Sequence, residues 1–293
     1  MPVAEKSYYY ENGVFEKTEQ FAERYHENGP AVYEVIRLVG GRPLFPEEHY
    51  ERLLGSLEKI ERKTAQKPEI SSGIVASSGI APGTCPLSAE EFSRIMCRLA
   101  EINGITDMNC RLVITNFERE TPDVYLFLLP THYPSEEQYA QGVRTDLLPA
   151  VRKDPHAKIW NQSLRTAADK KIAEEGLFEV ILVDEQGRVT EGSRSNILFF
   201  RGDRVYTTPD EAVLLGVTRT RILEVCRGAG IPVEQVYVKA EEIGTYEAAA
   251  VCGTSPKVLP ISAVGEVQMN VNHPLLRRVM ALYDQVCERS LKR

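Results

Sequence analysis

Four short stretches of the chain join side chains that can do chemistry to backbone that can hold an anion. The first is Lys158, in Pro155-His156-Ala157-Lys158-Ile159-Trp160-Asn161, an amine close to the chain's only tryptophan. A lysine standing alone is nearly always a solvated surface residue. The second is Glu191-Gly192-Ser193-Arg194-Ser195-Asn196, an acid followed by small polar residues that lead into the apolar run Ile197-Leu198-Phe199-Phe200. Such a stretch puts Glu191, Ser195 and Asn196 at a strand end, where pockets form, although an ordinary polar turn reads the same way. The third is Leu215-Gly216-Val217-Thr218-Arg219. Its glycine lets backbone approach a ligand, and Thr218 is expected to cap a helix whose free N–H groups suit phosphate. A plain N-cap is the commoner use of the same letters. The fourth is Cys252-Gly253-Thr254-Ser255-Pro256, where two hydroxyls follow an apolar strand and can bond phosphate or carboxylate oxygens, or simply make a turn.

Each signal is weak alone. Together they supply the parts that pyridoxal phosphate needs: an amine for a Schiff base, an acid to keep the pyridine nitrogen protonated, and amides and hydroxyls for the phosphate. A protonated pyridine is the electron sink that makes a substrate α-proton removable.

The elements that must position these groups can be read from the pattern of apolar residues. Tyr8-Tyr9-Tyr10, a turn at Glu11-Asn12-Gly13 and Val14-Phe15 read as two strands. Ala31–Val39 is a strand ended by Gly40-Gly41. Pro46 opens a helix with Glu47 and Glu48 in its first turn, and Leu53, Leu54, Leu57 and Ile60 share one face. Residues 64–87, rich in Ser, Gly, Pro and Ala, read as a long surface loop. Ser88-Ala89-Glu90-Glu91 has capping-box spacing before a helix bearing Phe92, Ile95, Met96 and Leu99. Strands follow at Arg111–Thr115 and Val124–Leu129. Pro130–Gly142, polar with two prolines, reads as a boundary, giving an N-terminal α/β domain over 1–130, a linker over 131–142 and a C-terminal α/β domain over 143–293 that carries Lys158. In that second half, Leu164–Glu175 is a helix stopped by Gly176, Phe178–Val183 and Asn196–Phe200 are strands, and Thr218–Arg227 is a helix. Val233–Val238, Ala249–Cys252 and Val258–Ile261 are strands, and Leu275–Cys287 is a closing helix. The fold class expected is mixed α/β in two domains.

Composition sets the outer limits. The chain has 293 residues, 43% hydrophobic and 26% charged, which suits a soluble globular protein with a sizeable core. A net charge of -7 speaks against nucleic acid as a partner, since phosphate backbones need a basic face. Six cysteines without a CxxC pair fit neither a zinc site nor a disulfide framework, so no metal is expected. No apolar stretch approaches a membrane span, and a reduced, cytoplasmic protein is the expectation.

Lys158 to Phe200 resembles the core of the class IV (fold-type IV) aminotransferases: lysine, helix, Glu-Glu-Gly-Leu-Phe-Glu-Val-Ile-Leu-Val, then Thr190-Glu191-Gly192-Ser193-Arg194-Ser195-Asn196. That group includes branched-chain aminotransferases, D-amino-acid aminotransferases and aminodeoxychorismate lyases. Gly216-Val217-Thr218-Arg219 and Gly253-Thr254-Ser255 fall where the family has its phosphate-binding turns. Val32-Tyr33-Glu34-Val35-Ile36-Arg37 and His49-Tyr50-Glu51-Arg52-Leu53 resemble its opening pattern. The resemblance implies a two-domain fold with pyridoxal 5′-phosphate between the domains and a homodimer. It implies Lys158 as the Schiff-base lysine and proton carrier, Glu191 beside the ring nitrogen, and Arg52 forked onto the phosphate. Tyr33 is implied to lie near the substrate, with Thr254 and Ser255 serving both substrate and cofactor.

Substrate is less legible. After Arg111–Thr115 the chain reads Asn116-Phe117-Glu118-Arg119-Glu120-Thr121-Pro122, without the Arg-x-His carboxylate trap of D-amino-acid enzymes. Ser163 stands where branched-chain enzymes usually carry a tyrosine. The Thr-Arg-Gly strand exit common in lyases is absent. The first expectation is transamination between an aliphatic, branched-chain-like amino acid and a 2-oxo acid. Aminodeoxychorismate lyase and D-amino-acid aminotransferase stand as alternatives. A binding protein without catalysis is a further one, disfavoured because Lys158, Glu191, Arg52 and Thr218 are all present.

Overall fold

The computed structural model describes residues 3–26, 30–65 (61–65 as backbone only), 85–117, 119, 121–152, 156–159 and 161–292. The structure is mixed α/β, as the pattern of periods demands. Most of the expected loop 64–87 lies outside the described residues; helix continues to Ala65, and Cys85 and Leu87 are buried. Among the described residues no helix is long and apolar enough to cross a membrane.

The chain groups into two compact units. The first, Met1–Thr131 with Ala157–Trp160, runs β1 (Glu5–Glu11), β2 (Val14–Lys17), a one-turn α1 (Phe21–Arg24), β3 (Val32–Val39), β4 (Arg42–Pro43), α2 (Pro46–Ala65), α3 (Ala89–Ile102), β5 (Asp107–Thr115) and β6 (Asp123–Leu128). Its strands form one antiparallel sheet in the order β2-β1-β6-β5-β3-β4. Alternation decides the faces. Val32, Ile36 and Leu38 of β3 and Cys110, Leu112 and Ile114 of β5 pack with Leu53, Leu57 and Ile60 of α2 and with Phe92, Met96 and Leu99 of α3. Tyr33 and Val113 belong to a second cluster with Tyr9, Phe21, Tyr25, Tyr125 and Phe127. The capping box read from Ser88 and Glu91 is present.

The second unit, His132–His156 with Asn161–Arg293, runs α4 (Glu136–Gln141), β7 (Val143–Pro149), α5 (Gln162–Glu175), β8 (Glu179–Val183), β9 (Val189–Gly192), β10 (Asn196–Arg201), β11 (Arg204–Thr207), α6 (Val217–Gly228), β12 (Val233–Gln235), β13 (Ala248–Gly253), β14 (Lys257–Val264), β15 (Val267–Gln268) and α7 (Pro274–Leu291). A mixed sheet runs β12-β11-β10-β13-β14-β7-β8-β9, with β15 on β14. Gly176 closes α5 in the left-handed region (φ 63°), as its sequence position indicated.

Three expectations about organisation change. The stretch read as a linker, 131–142, holds α4, started by a capping box at Ser135 and Gln138. Lys158 does not group with the second half: its strip falls in the first unit, where the backbone of Lys158 bonds to β3 and α2 and Ile159 bridges to Val32. The strand expected at Val233–Val238 pairs with β11 only over Val233–Gln235.

Candidate active site

In the first unit, α2 carries a polar stripe beside its apolar one. His49, Arg52 and Ser56 follow at spacings of three and four, so they lie one above another on the helix. Facing them is Glu34, fully buried on the inward face of β3 between Val32 and Ile36. Arg52 Nε donates to Glu34 Oε1 at 2.8 Å and Arg52 Nη2 to Oε2 at 2.6 Å, a two-pronged pair. His49 Nδ1 lies 2.7 Å from Glu34 Oε2. Burial would raise the Glu34 carboxyl, but the Arg52 charge and the bonds from Arg52 and His49 overcome it and hold the group at about 2. His49 lies below its ordinary value: burial lowers it first, Glu34 opposes this, and the charges of Arg52 and Lys158 add to the lowering.

Lys158 is fixed by its backbone to the same elements. Its N–H donates to Ser56 Oγ at 3.2 Å, its carbonyl accepts from the Tyr33 N–H at 3.1 Å, and Ile159 bridges to Val32. Its Nζ stands 4.9 Å from the centre of the Tyr33 ring, and the buried Arg111 guanidinium stands 4.6 Å from the same centre. Arg111 reaches the ring because Val35 and Arg111 are partners across β3–β5, one step from the Tyr33–Val113 pair on the same face.

In the second unit the other candidates gather at one end of the sheet. Glu191 is the next-to-last residue of β9, Asn196 opens β10, and Asn196 pairs across to Cys252, so the turn at Thr254 and Ser255 follows beside it. Asn196 Nδ2 donates to Leu214 O at 2.9 Å and to Glu191 Oε2 at 3.3 Å. The Leu214 N–H also donates to Glu191 Oε2, at 3.2 Å. A Cβ at Gly216 would stand 2.1 Å from Asn196 Oδ1, so only glycine fits there. Glu191 is buried, and Arg152 Nε donates to its Oε1 at 2.6 Å while Arg152 Nη2 donates to Ser193 O at 3.3 Å.

Helix α6 starts differently from the sequence expectation. Gly216, not Thr218, is the N-cap, and no side chain caps the helix. Val217 and Thr218 therefore occupy its first turn, where backbone N–H groups have no carbonyl within the helix to bond. Thr218 is buried, with the Tyr283 hydroxyl 3.4 Å from its Oγ1. Arg219, one residue on, is buried and turned away: it donates to Thr207 Oγ1, Asp210 Oδ1 and Thr208 O. Ser195 also differs, because its hydroxyl donates to Glu179 Oε2 at 3.0 Å. Buried Glu179 holds the whole turn, accepting as well from Ser193 Oγ and the Arg194 N–H.

Sequence reasoning missed Glu34, Glu179, Arg111 and Arg152 as site residues. A signal existed for the first: a carboxylate on the apolar face of an alternating strand needs a buried partner, and His49-x-x-Arg52 supplies two. Arg152 shows no local pattern at all. Chemically, the first unit presents an amine and a guanidinium around one tyrosine ring. The second presents a fixed buried carboxylate next to a helix start.

The model of the amino-transferase class IV family matches residues 31–264. A D-alanine aminotransferase of Bacillus licheniformis is 26% identical over 254 residues, covering 83% of this chain and 81% of its own. Among solved structures, the branched-chain amino acid aminotransferase of Escherichia coli superposes with a TM-score of 0.77 at 19% identity, over 97% of this chain and 95% of its own. The branched-chain aminotransferase of Thermoproteus uzoniensis with norvaline gives 0.77 at 21% identity, over 98% and 97%.

Proposed function

Since the chain belongs to the amino-transferase class IV family, whose members work with pyridoxal 5′-phosphate, we propose that Lys158 and the Glu191 cluster serve one such cofactor, and that the enzyme moves amino groups between an aliphatic amino acid and a 2-oxo acid. The residues fit the group. A pyridine nitrogen is matched by the buried Glu191 carboxylate, a phosphate by the start of α6 at Gly216–Thr218 and by Thr254 and Ser255, and an aldehyde carbon by the Lys158 amine; Arg52, expected to fork onto the phosphate, directs Nε and Nη2 to Glu34 instead. Bound there, the cofactor supplies an electron sink for the pair left at the substrate Cα.

The chain's own side chains do the rest. With the cofactor bound, the Lys158 amine would take the substrate Cα proton and would return it two atoms along, at the former aldehyde carbon. Glu191 keeps the ring nitrogen's proton in place by its negative charge, and the amides of Leu214 and Asn196 keep Glu191 from turning away. Tyr33 forms a wall next to the reacting amine, and Arg111 answers the carboxylate that every amino acid and 2-oxo acid carries. Asn196 and Ser195 act on the protein side, holding Glu191 and the turn respectively.

The observation that carries this reading is the pair of cations on one ring: Lys158 Nζ at 4.9 Å and Arg111 at 4.6 Å from the Tyr33 centre. It joins the reacting amine to a carboxylate anchor. Branched-chain L-substrates are the first choice, because Arg119 and Asn116, which fall where a D-enzyme's trap would be, are both bonded to Asp123. D-Alanine is the second, favoured by the Bacillus licheniformis relative. A homodimer in the cytoplasm completes the reading. Six free thiols, five of them buried, suit a reducing compartment.

The test is to load the protein with pyridoxal phosphate and follow its visible absorbance on adding L-leucine or D-alanine, with product analysis. Conversion to pyridoxamine phosphate with release of the matching 2-oxo acid supports the reading and fixes the stereochemistry. Release of pyruvate and an aromatic amine from aminodeoxychorismate, with no response to either amino acid, overturns it in favour of the lyase. Sedimentation at low concentration tests the dimer.

A further inference from the structure

We propose that Arg152 sets how tightly the cofactor's ring nitrogen holds its proton, by sharing the Glu191 carboxylate with that nitrogen. This rests on the reading that Glu191 faces the ring. Arg152 stands in the segment after β7, six residues before Lys158 in the chain, and its side chain is largely buried. Its Nε–H donates to Glu191 Oε1 at 2.6 Å, and its Nη2 donates to Ser193 O at 3.3 Å, which fixes the guanidinium plane. The opposite oxygen, Oε2, takes two neutral donors, the Leu214 N–H at 3.2 Å and Asn196 Nδ2 at 3.3 Å.

Two donors are enough to orient a carboxylate, so orientation does not require a third, charged one. What the arginine adds is charge. A full positive charge at bonding distance from one oxygen lowers the negative potential that the carboxylate projects, and does so strongly where water is excluded. Glu191 paired to Arg152 is therefore a weaker proton holder for the ring than Glu191 bound by amides alone. The other charged groups near this end of the sheet are already balanced: Glu179 of β8 is spent on the turn Ser193–Ser195, Arg194 pairs with Asp169, and Arg219 of α6 pairs with Asp210. Arg152 is the group that tunes Glu191, as a positioning and electrostatic residue rather than a catalytic one.

A less tightly held ring proton makes a weaker electron sink, which favours returning the proton to the substrate framework over losing a β-substituent. The arrangement thus also bears on why such a site would transaminate cleanly.

The experiment is a pH titration of the enzyme loaded with pyridoxal phosphate labelled with nitrogen-15 in the ring, read by the ring nitrogen's chemical shift, for wild type, Arg152→Gln, Arg152→Lys and Glu191→Gln. Arg152→Gln keeps a neutral donor and removes the charge. The expected result is that its ring nitrogen loses the proton at least one pH unit higher than wild type, about a tenfold tighter hold, while Arg152→Lys stays near wild type. An unchanged or lowered midpoint in Arg152→Gln, with Glu191→Gln markedly lowered, overturns the tuning role and leaves Glu191 in place. A Glu191→Gln titration identical to wild type instead removes the underlying reading, and the proposal with it. Should Arg152→Gln fail to fold, Arg152→Met and Arg152→Lys carry the same comparison of charge against no charge.

Discussion

Lys158 and Tyr33 are joined twice: the Tyr33 N–H donates to the Lys158 carbonyl at 3.1 Å, and the Lys158 Nζ rests 4.9 Å from the Tyr33 ring centre. The backbone bond fixes where the lysine stem begins, and the ring limits where it can end. Replacing Lys158 with alanine leaves the backbone bond intact, so folding should be little affected. The visible band of bound cofactor should vanish and turnover should fall by roughly a hundred- to ten-thousandfold, the range for losing a positioned base. Absorbance and single-turnover kinetics check this; a retained band would move the lysine's role elsewhere.

Arg111 should separate substrate recognition from cofactor binding. Arg111→Met keeps much of the stem's packing against Tyr33 and removes the charge. We expect KM for both the amino acid and the 2-oxo acid to rise, by an amount equivalent to about 1–3 kcal/mol, with cofactor affinity unchanged. A variant that loses cofactor and keeps KM would place Arg111 on the phosphate instead.

Gly216 and Gly228 bracket α6 and make a matched pair. Alanine at 216 brings a Cβ within 2.1 Å of Asn196 Oδ1, and Asn196 is held by both Leu214 and Glu191, so something must shift. The expected cost is about 1–3 kcal/mol, with poorer cofactor retention. Alanine at 228 meets open space, and the helix should gain up to about 1 kcal/mol. Thermal melts with and without cofactor distinguish the two.

Acid should loosen the first unit in two stages. Glu34 falls from 4.5 to about 2 in the folded protein, so its contribution is complete above 4.5 and fades as pH drops toward 2, by about 3 kcal/mol in all. His49 is lowered from 6.5, so protonating it in the unfolded chain costs stability from pH 6.5 downward. Both slopes have the same sign. Urea midpoints between pH 7 and pH 3 should decline throughout, and Glu34→Gln should be weaker at neutral pH with a flatter acid limb. An equally steep limb in that variant would rule Glu34 out as the sensitive group.

Arg219 should matter for stability more than for chemistry. It is buried and donates to Thr207, Thr208 and Asp210, the last of which is half exposed and so partly screened. Arg219→Met should cost about 2–4 kcal/mol, visible as a lower melting temperature, with kcat nearly unchanged in cool buffer.

How much was legible beforehand depended on the kind of information involved. Periodicity marked β3, α2, α3, α5 and α7, because one-sided burial writes itself into spacing. Glu191 and Gly216 could be picked out because each sits in a short stretch of small residues at an element end. Strands β7 and β11 went unseen: β7 alternates apolar with charged and polar residues and is short of aromatics, and β11 spans only Arg204–Thr207. Arg152 and Glu179 were invisible for a different reason. Their partners lie 39 and 14–16 positions away, and nothing local in a sequence records a contact made by folding. Thr218 was misplaced by two positions because threonine is the commoner N-cap residue, while the space beside Asn196 demanded glycine.

Ile159, next to Lys158, bridges to a sheet whose strands end in sequence at Leu128. During synthesis, then, the first unit can assemble its helices and most of its ladder long before that residue exists. Its β3 margin at Val32 and Tyr33 stays open, with the buried Ser56 hydroxyl awaiting the Lys158 amide, until residue 159 leaves the ribosome. The last stitch in that sheet is the one that brings the Lys158 amine, so a nascent chain cannot set that amine beside Tyr33 before the second unit's opening stretch, His132–His156, has been made.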